Sequence, residues 1–133
     1  VEDLVGWLRA QLDTDERIAR AATLGPWVQS GIGDYGWTVD FGRPGAGVET
    51  ADTEQGLADA DFIAAHNPTR VLREIDAKRQ ALRMAEQATE QAESRDYLVN
   101  GPAKMMLVCL KPVLRHLATV YADRSGYRKE WRP

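Results

Sequence analysis

An α+β fold, mainly helical and folded as one domain over residues 1–133, is what this sequence predicts, and three observations carry the prediction. Apolar residues recur at helical spacing at the start of the chain. Glycines at positions 31, 33, 36, 42, 45 and 47 then divide a stretch of short alternating segments. After Asn67-Pro68 comes a long run rich in Ala, Gln, Glu, Arg and Lys that no glycine or proline interrupts. The hydrophobic and charged fractions, 44% and 28%, are those of an ordinary globular chain and argue against global disorder.

The first helix is set by Leu4, Trp7, Leu8, Leu12, Ile18, Ala19 and Ala22, with charged residues between them and Asp3 as its cap. Gly25-Pro26 stops it near Thr23, because proline has no amide hydrogen to give and drives its predecessor out of helical geometry. Three short strands are expected at Trp27 to Gln29, Trp37 to Phe41 and Val48 to Thr50, a small antiparallel meander. So small a sheet must lean on a helix, with Trp27 and Trp37 as packing mass.

A short helix at residues 56–65 follows, entered through Asp52 or Thr53, with Leu57, Ala60, Ile63 and Ala64 on one face. Asn67 caps the next helix and Pro68 takes its first position, where a missing amide hydrogen costs nothing. That helix, about 69–96, is the longest element, about 40 Å at 1.5 Å per residue. Its apolar stripe thins beyond Met84 to Ala85, Ala88, Thr89 and Ala92, so it is expected to project and to pack on a copy of itself through Leu82, Ala85, Thr89 and Ala92. Asn100-Gly101-Pro102 reads as a firm break. Lys104 to Tyr121, the most apolar stretch, reads as the core helix, with Leu110, Leu114, Leu117 and Tyr121 on its face. Pro112 either kinks that helix or starts one. Ser125-Gly126 then turns a tail whose Tyr127 and Trp131 fold back as anchors.

Two stretches carry resemblances. Ala22-Thr23-Leu24-Gly25-Pro26-Trp27 and, further on, Asp59-Ala60-Asp61-Phe62-Ile63-Ala64-Ala65-His66-Asn67-Pro68-Thr69-Arg70-Val71-Leu72, with the long charged helix, resemble the Ead-like early proteins of lambdoid phages. Residues 121–133, with Leu114, Leu117 and Ala118 before them, look like the end of an uncharacterised domain family of actinobacteria and their phages. The resemblance implies a phage-type accessory protein that acts by protein–protein contact, and neither family brings a catalytic activity or a cofactor with it.

Charge is unevenly spread. Net charge is −3 overall, but residues 1–66 carry −8, residues 67–103 are neutral and residues 104–133 carry +5. Such polarity favours self-association or internal screening, and an acidic chain with a pI near 5.4 argues against nucleic acid as a partner. The longest apolar run, Met105 to Leu110, is bracketed by lysines and far short of the ~20 residues that span a bilayer, so no membrane is expected. The opening Val1-Glu2-Asp3 lacks the regions of a secretory signal and the lone Cys109 can form no internal disulfide, so the reading is cytoplasmic.

No residue pattern carries catalysis. Cys109 and His116 lie seven apart and are two donors where a structural zinc needs about four, with His66 on another element. His66 reads as a helix end, where an imidazolium suits the dipole. Asp52, Glu54, Asp59 and Asp61 lack the glycine and terminal glutamate of a calcium loop and read as solvated surface. The glycine-rich segment has no phosphate-cradle signature. The first alternative to an interaction protein is a binder of a small anion or nucleotide, held by Trp27, Trp37, Arg43, Arg128 and Trp131 where the tail meets the sheet, and the weakest is a metal-dependent enzyme using His66, Cys109 and His116.

Overall fold

A computed structural model describes residues 1–133. Its elements are α1 (Glu2–Ala21), β1 (Val28–Ile32), β2 (Trp37–Asp40), β3 (Gly47–Glu49), α2 (Glu54–Ala65), α3 (Pro68–Ala92), α4 (Tyr97–Thr119) and a closing 3-10 turn at Lys129–Trp131. The fold is α+β and mainly helical, with the three strands in one antiparallel meander ordered β1-β2-β3. Contacts gather into two compact units, Asp15–Glu74 and Val1–Thr14 with Ile75–Pro133.

In the Asp15–Glu74 unit the sheet is organised around Val39, which is fully buried and pairs with Gln29 on one side and Val48 on the other. The register slips between Gln29 and Gly31, where Gly31 takes a left-handed φ of 99° and donates its amide to the Gln29 side chain. Both β1 and β2 pack on α2, so the helix that the small sheet requires is supplied by Ala60 and its neighbours. Thr53 is the N-cap of α2, its hydroxyl accepting from the Gly56 amide at 2.9 Å. Gly56 admits no side chain, because a Cβ there would collide with the Ala51 carbonyl. Asn67 caps α3 by accepting from the Arg70 amide at 3.0 Å, directly ahead of Pro68.

The other unit is a helical core. Leu8 and Leu12 of α1, Leu82 of α3 and Leu117 and Tyr121 converge with no water-sized space between them. Arg9 pairs with Glu86, and Arg79 meets Asp13 at 2.8 Å, so α1 lies along α3. After Thr119 the chain turns back, and the rings of Tyr121, Tyr127 and Trp131 surround Trp7 at centroid distances of 6.4, 5.7 and 5.3 Å. The Trp7 indole N–H donates to the Ser125 carbonyl at 3.1 Å. Gly126, with φ of 87°, lies so near the indole that a Cβ would sit 2.7 Å from its nitrogen.

Four expectations need correction. Helix α1 begins at Glu2, so Asp3 lies in its first turn and Val1 stands at the cap position, its carbonyl accepting from the Val5 amide. The break after α3 is not at Asn100-Gly101-Pro102 but at residues 93–96, where the Asp96 carboxylate caps α4 by accepting from the Leu98 amide. The Asn100 amide group also donates to the Ser94 carbonyl, which fastens the first turn of α4 to the preceding bend. The seam on α3 is not open: Leu82 and Ala85 are 3% and 0% exposed, and Thr89 and Ala92 half-buried. The thin stripe therefore finds its second surface within its own chain. Lastly, Lys104 to Tyr121 is only half a core helix. Leu114 and Tyr121 are buried and Leu110 and Leu117 half-buried as expected, yet the opposite side of the same stretch is apolar and uncovered.

Candidate interaction surface

Helix α4 runs for 23 residues, about 35 Å at 1.5 Å per residue, and buries the side that bears Ala103, Leu114 and Ala118. Positions 98, 102, 105, 109, 112 and 116 follow at helical spacing on the other side and are all exposed. Leu98 and Val108 are each 69% exposed, Met105 is 64%, and Val113 flanks them. Two prolines, Pro102 and Pro112, sit within the helix on this outward side and do not break it. Each deprives the carbonyl four residues earlier of its donor. Those carbonyls belong to Leu98 and Val108, the two most exposed aliphatic residues of α4, so water can take the place of the missing bond.

Beside this face runs a shallow groove of about 200 Å³ between α3 and α4, with Ala88 and Ala103 at its floor and Met84, Gln87, Gln91 and Met106 at its walls. All three methionines of the chain are exposed, Met84 and Met106 at this groove and Met105 on the outward face beside it. Unbranched thioethers adapt to the shape laid against them, which is why such side chains recur at contact surfaces. Charge here has one sign: α4 carries Lys104, Lys111 and Arg115 and no acid. The hydropathy of the stretch reads as burial and so conceals this surface. The available signal was that apolar residues occupy both sides of the helix.

A model of a family of unknown function, DUF6221, matches residues 1–133. The chain belongs to that family. Neither a curated protein nor a solved structure matches this DUF6221 member.

The other site residues of this family member are brought together in two separate groups. Trp27 stacks on Phe41 at 3.9 Å, and its indole N–H donates to the Thr23 carbonyl. The Arg43 guanidinium donates to the Thr23 hydroxyl at 3.1 Å, so Trp27 and Arg43 together clasp the turn that follows α1. Trp37 donates its indole N–H to the Thr53 carbonyl at 3.2 Å. Arg128 bonds to Asp3 at 3.3 Å and lies over the Trp131 ring, which is buried against Trp7. The tail thus finds its partners in its own unit, and each of the five residues is engaged in holding structure. Arg43 borders an open depression on the β2–β3 hairpin that Asp40 and Glu49 line as well, an arrangement that repels an anion as much as it attracts one.

His66 caps α2, stacks on Phe62 at 4.1 Å and exchanges a hydrogen bond between its Nδ1 and the Phe62 carbonyl. Cys109 and His116 share the outward face of α4. No group of three His, Cys, Asp or Glu side chains is close enough to hold a metal ion, and no helix is long and apolar enough to cross a membrane.

Proposed function

We propose that this protein is a non-enzymatic accessory protein of phage type, of actinobacterial origin and cytoplasmic, that acts by protein–protein contact and self-association. One observation carries the reading: the 23-residue helix α4 covers one apolar side with its own chain and leaves the other bare. A bare apolar surface of that length is unfavourable in water and is retained where another surface removes it from water. The resemblance of residues 59–72 to Ead-like early proteins supports the accessory role and the phage origin. The small-anion alternative draws less support, since Arg43, Arg128, Trp27 and Trp131 are all engaged within the fold.

The test compares the wild type with Met105→Glu and Val108→Glu, two substitutions at exposed positions. On this reading both variants fold as the wild type does and lose its protein contacts, whether with a second copy or with proteins captured from a host lysate. If both variants keep every contact of the wild type, α4 is not the binding element.

A further inference from the structure

We infer that the outward face of α4 binds the same face of a second copy of this chain, with the two helices antiparallel and the two Cys109 thiols meeting near the dyad. This deepens the interaction reading above, rests on it, and names the occupant. The area of the face suits a second copy. Nine large apolar side chains are exposed around the uncovered half of α4 and along the neighbouring edge of α3, those of α4 with Val120 and Met84. Side chains of valine to methionine size carry roughly 60–120 Å² of apolar surface each, so at their degrees of exposure on the order of 300–600 Å² stays open. A standard interface takes about 800 Å² from each partner, of which about 450–520 Å² is apolar. The open surface therefore spans the amount that a stable dimer needs, and it matches in size the largest apolar patch on a typical monomer, which is often functional.

The character of the face suits it as well. From Leu98 to Val113 its outward positions hold leucine, valine, methionine, proline and cysteine, with lysines only at one margin. That is the composition of a homodimer interface, which is more apolar than a contact made and broken in passing. A partner met only at intervals would leave this surface wet for most of the protein's life. A second copy is present whenever the chain is.

Orientation follows from symmetry and dipole. In a two-fold pair the patch meets itself, and antiparallel helices oppose their macrodipoles where parallel ones would set like ends together. The exposed stretch runs from Tyr97 to Val120, so its midpoint falls at Val108 and Cys109. Cys109 is exposed and central on the face, and it serves as the reporter. The same arrangement lines up Lys104 and Lys111 of both copies along one margin, so added salt should tighten the dimer by screening them.

The experiment uses the full chain, with light scattering at micromolar concentration and mild oxidation as the two readouts. The expected result is a dimer that tightens with salt, falls to monomer in Val108→Glu with an unchanged circular dichroism spectrum, and becomes disulfide-linked through Cys109. A Leu98→Cys, Cys109→Ala double variant remains unlinked in an antiparallel pair, because its two cysteines lie at opposite ends. Ready linkage of that variant overturns the antiparallel arrangement. A wild type that stays monomeric overturns the second copy as occupant, and if Val108→Glu then still abolishes capture of another protein, the broader interaction reading stands. A dimer indifferent to Val108→Glu overturns α4 as the surface, and both readings with it.

Discussion

Trp7 joins the beginning of the chain to its end, and Trp7→Ala measures how much that junction is worth. Its indole touches the rings of Tyr121, Tyr127 and Trp131 and donates to the Ser125 carbonyl at 3.1 Å. Removing a large aromatic from a packed site costs about 3–5 kcal/mol, and the half-buried state of Trp7 places it at the lower end, about 3 kcal/mol. Within that loss the hydrogen bond accounts for about 1 kcal/mol, so Trp7→Phe, which keeps a ring and drops the donor, should lose about 1–2 kcal/mol. With a urea dependence of about 1–3 kcal/mol per molar, Trp7→Ala should lower the unfolding midpoint by about 1–3 M. The tail should also become accessible, so limited trypsin digestion should cut at Arg128 and Lys129 well before it attacks α3. A loss under about 1 kcal/mol, with the tail as resistant as in the wild type, would refute the claim that the aromatic cluster anchors it.

Smaller perturbations test the remaining local arguments. Thr53→Ala removes the side-chain cap of α2 and should cost about 1 kcal/mol in urea unfolding, as should Asn67→Ala at the start of α3. Gly126→Ala forces a left-handed backbone on an alanine and presses on the Trp7 ring, so a loss of about 1–2 kcal/mol or more is expected by the same assay. Gly56→Ala drives a methyl into the Ala51 carbonyl and should lower the melting temperature by several degrees, against the usual gain from alanine inside a helix. Val108→Glu, at an exposed position, should leave the stability of the isolated fold within about 0.5 kcal/mol, measured at a concentration low enough to keep the wild type monomeric.

Much of the fold was legible because local chemistry specified it. Asn67-Pro68 is both a cap and a first-turn proline, and Thr53 precedes the amide it satisfies by three residues, so the starts of α3 and α2 were written in the chain. The glycine spacing and the alternation of Trp37-Thr38-Val39-Asp40 gave the meander for the same reason. What failed to show was tertiary. Gly101-Pro102 looks like a break, but a proline this near the start of a helix sacrifices a single bond, and the Asp96 side chain ahead of α4 and the Asn100 side chain within it hold the first turn to the preceding bend. The alanine-rich half of α3 seemed too poor to be covered, because whether other elements lie over a stripe of small residues is a property of the tertiary fold and not of the stripe itself. The site fared similarly. Aromatic and arginine side chains that looked available are satisfied within the fold, Arg43, Arg128 and Trp131 by partners distant in the chain and Trp27 by nearby Thr23 and by Phe41, while α4 reads as buried throughout and is so on one side only.

The measurement that bears most directly on the account is sedimentation equilibrium of the wild-type chain over a range of micromolar concentrations at two salt levels. A mass of two chains is expected, approached at lower concentration when the salt is higher. A single-chain mass at every concentration and both salt levels would contradict it.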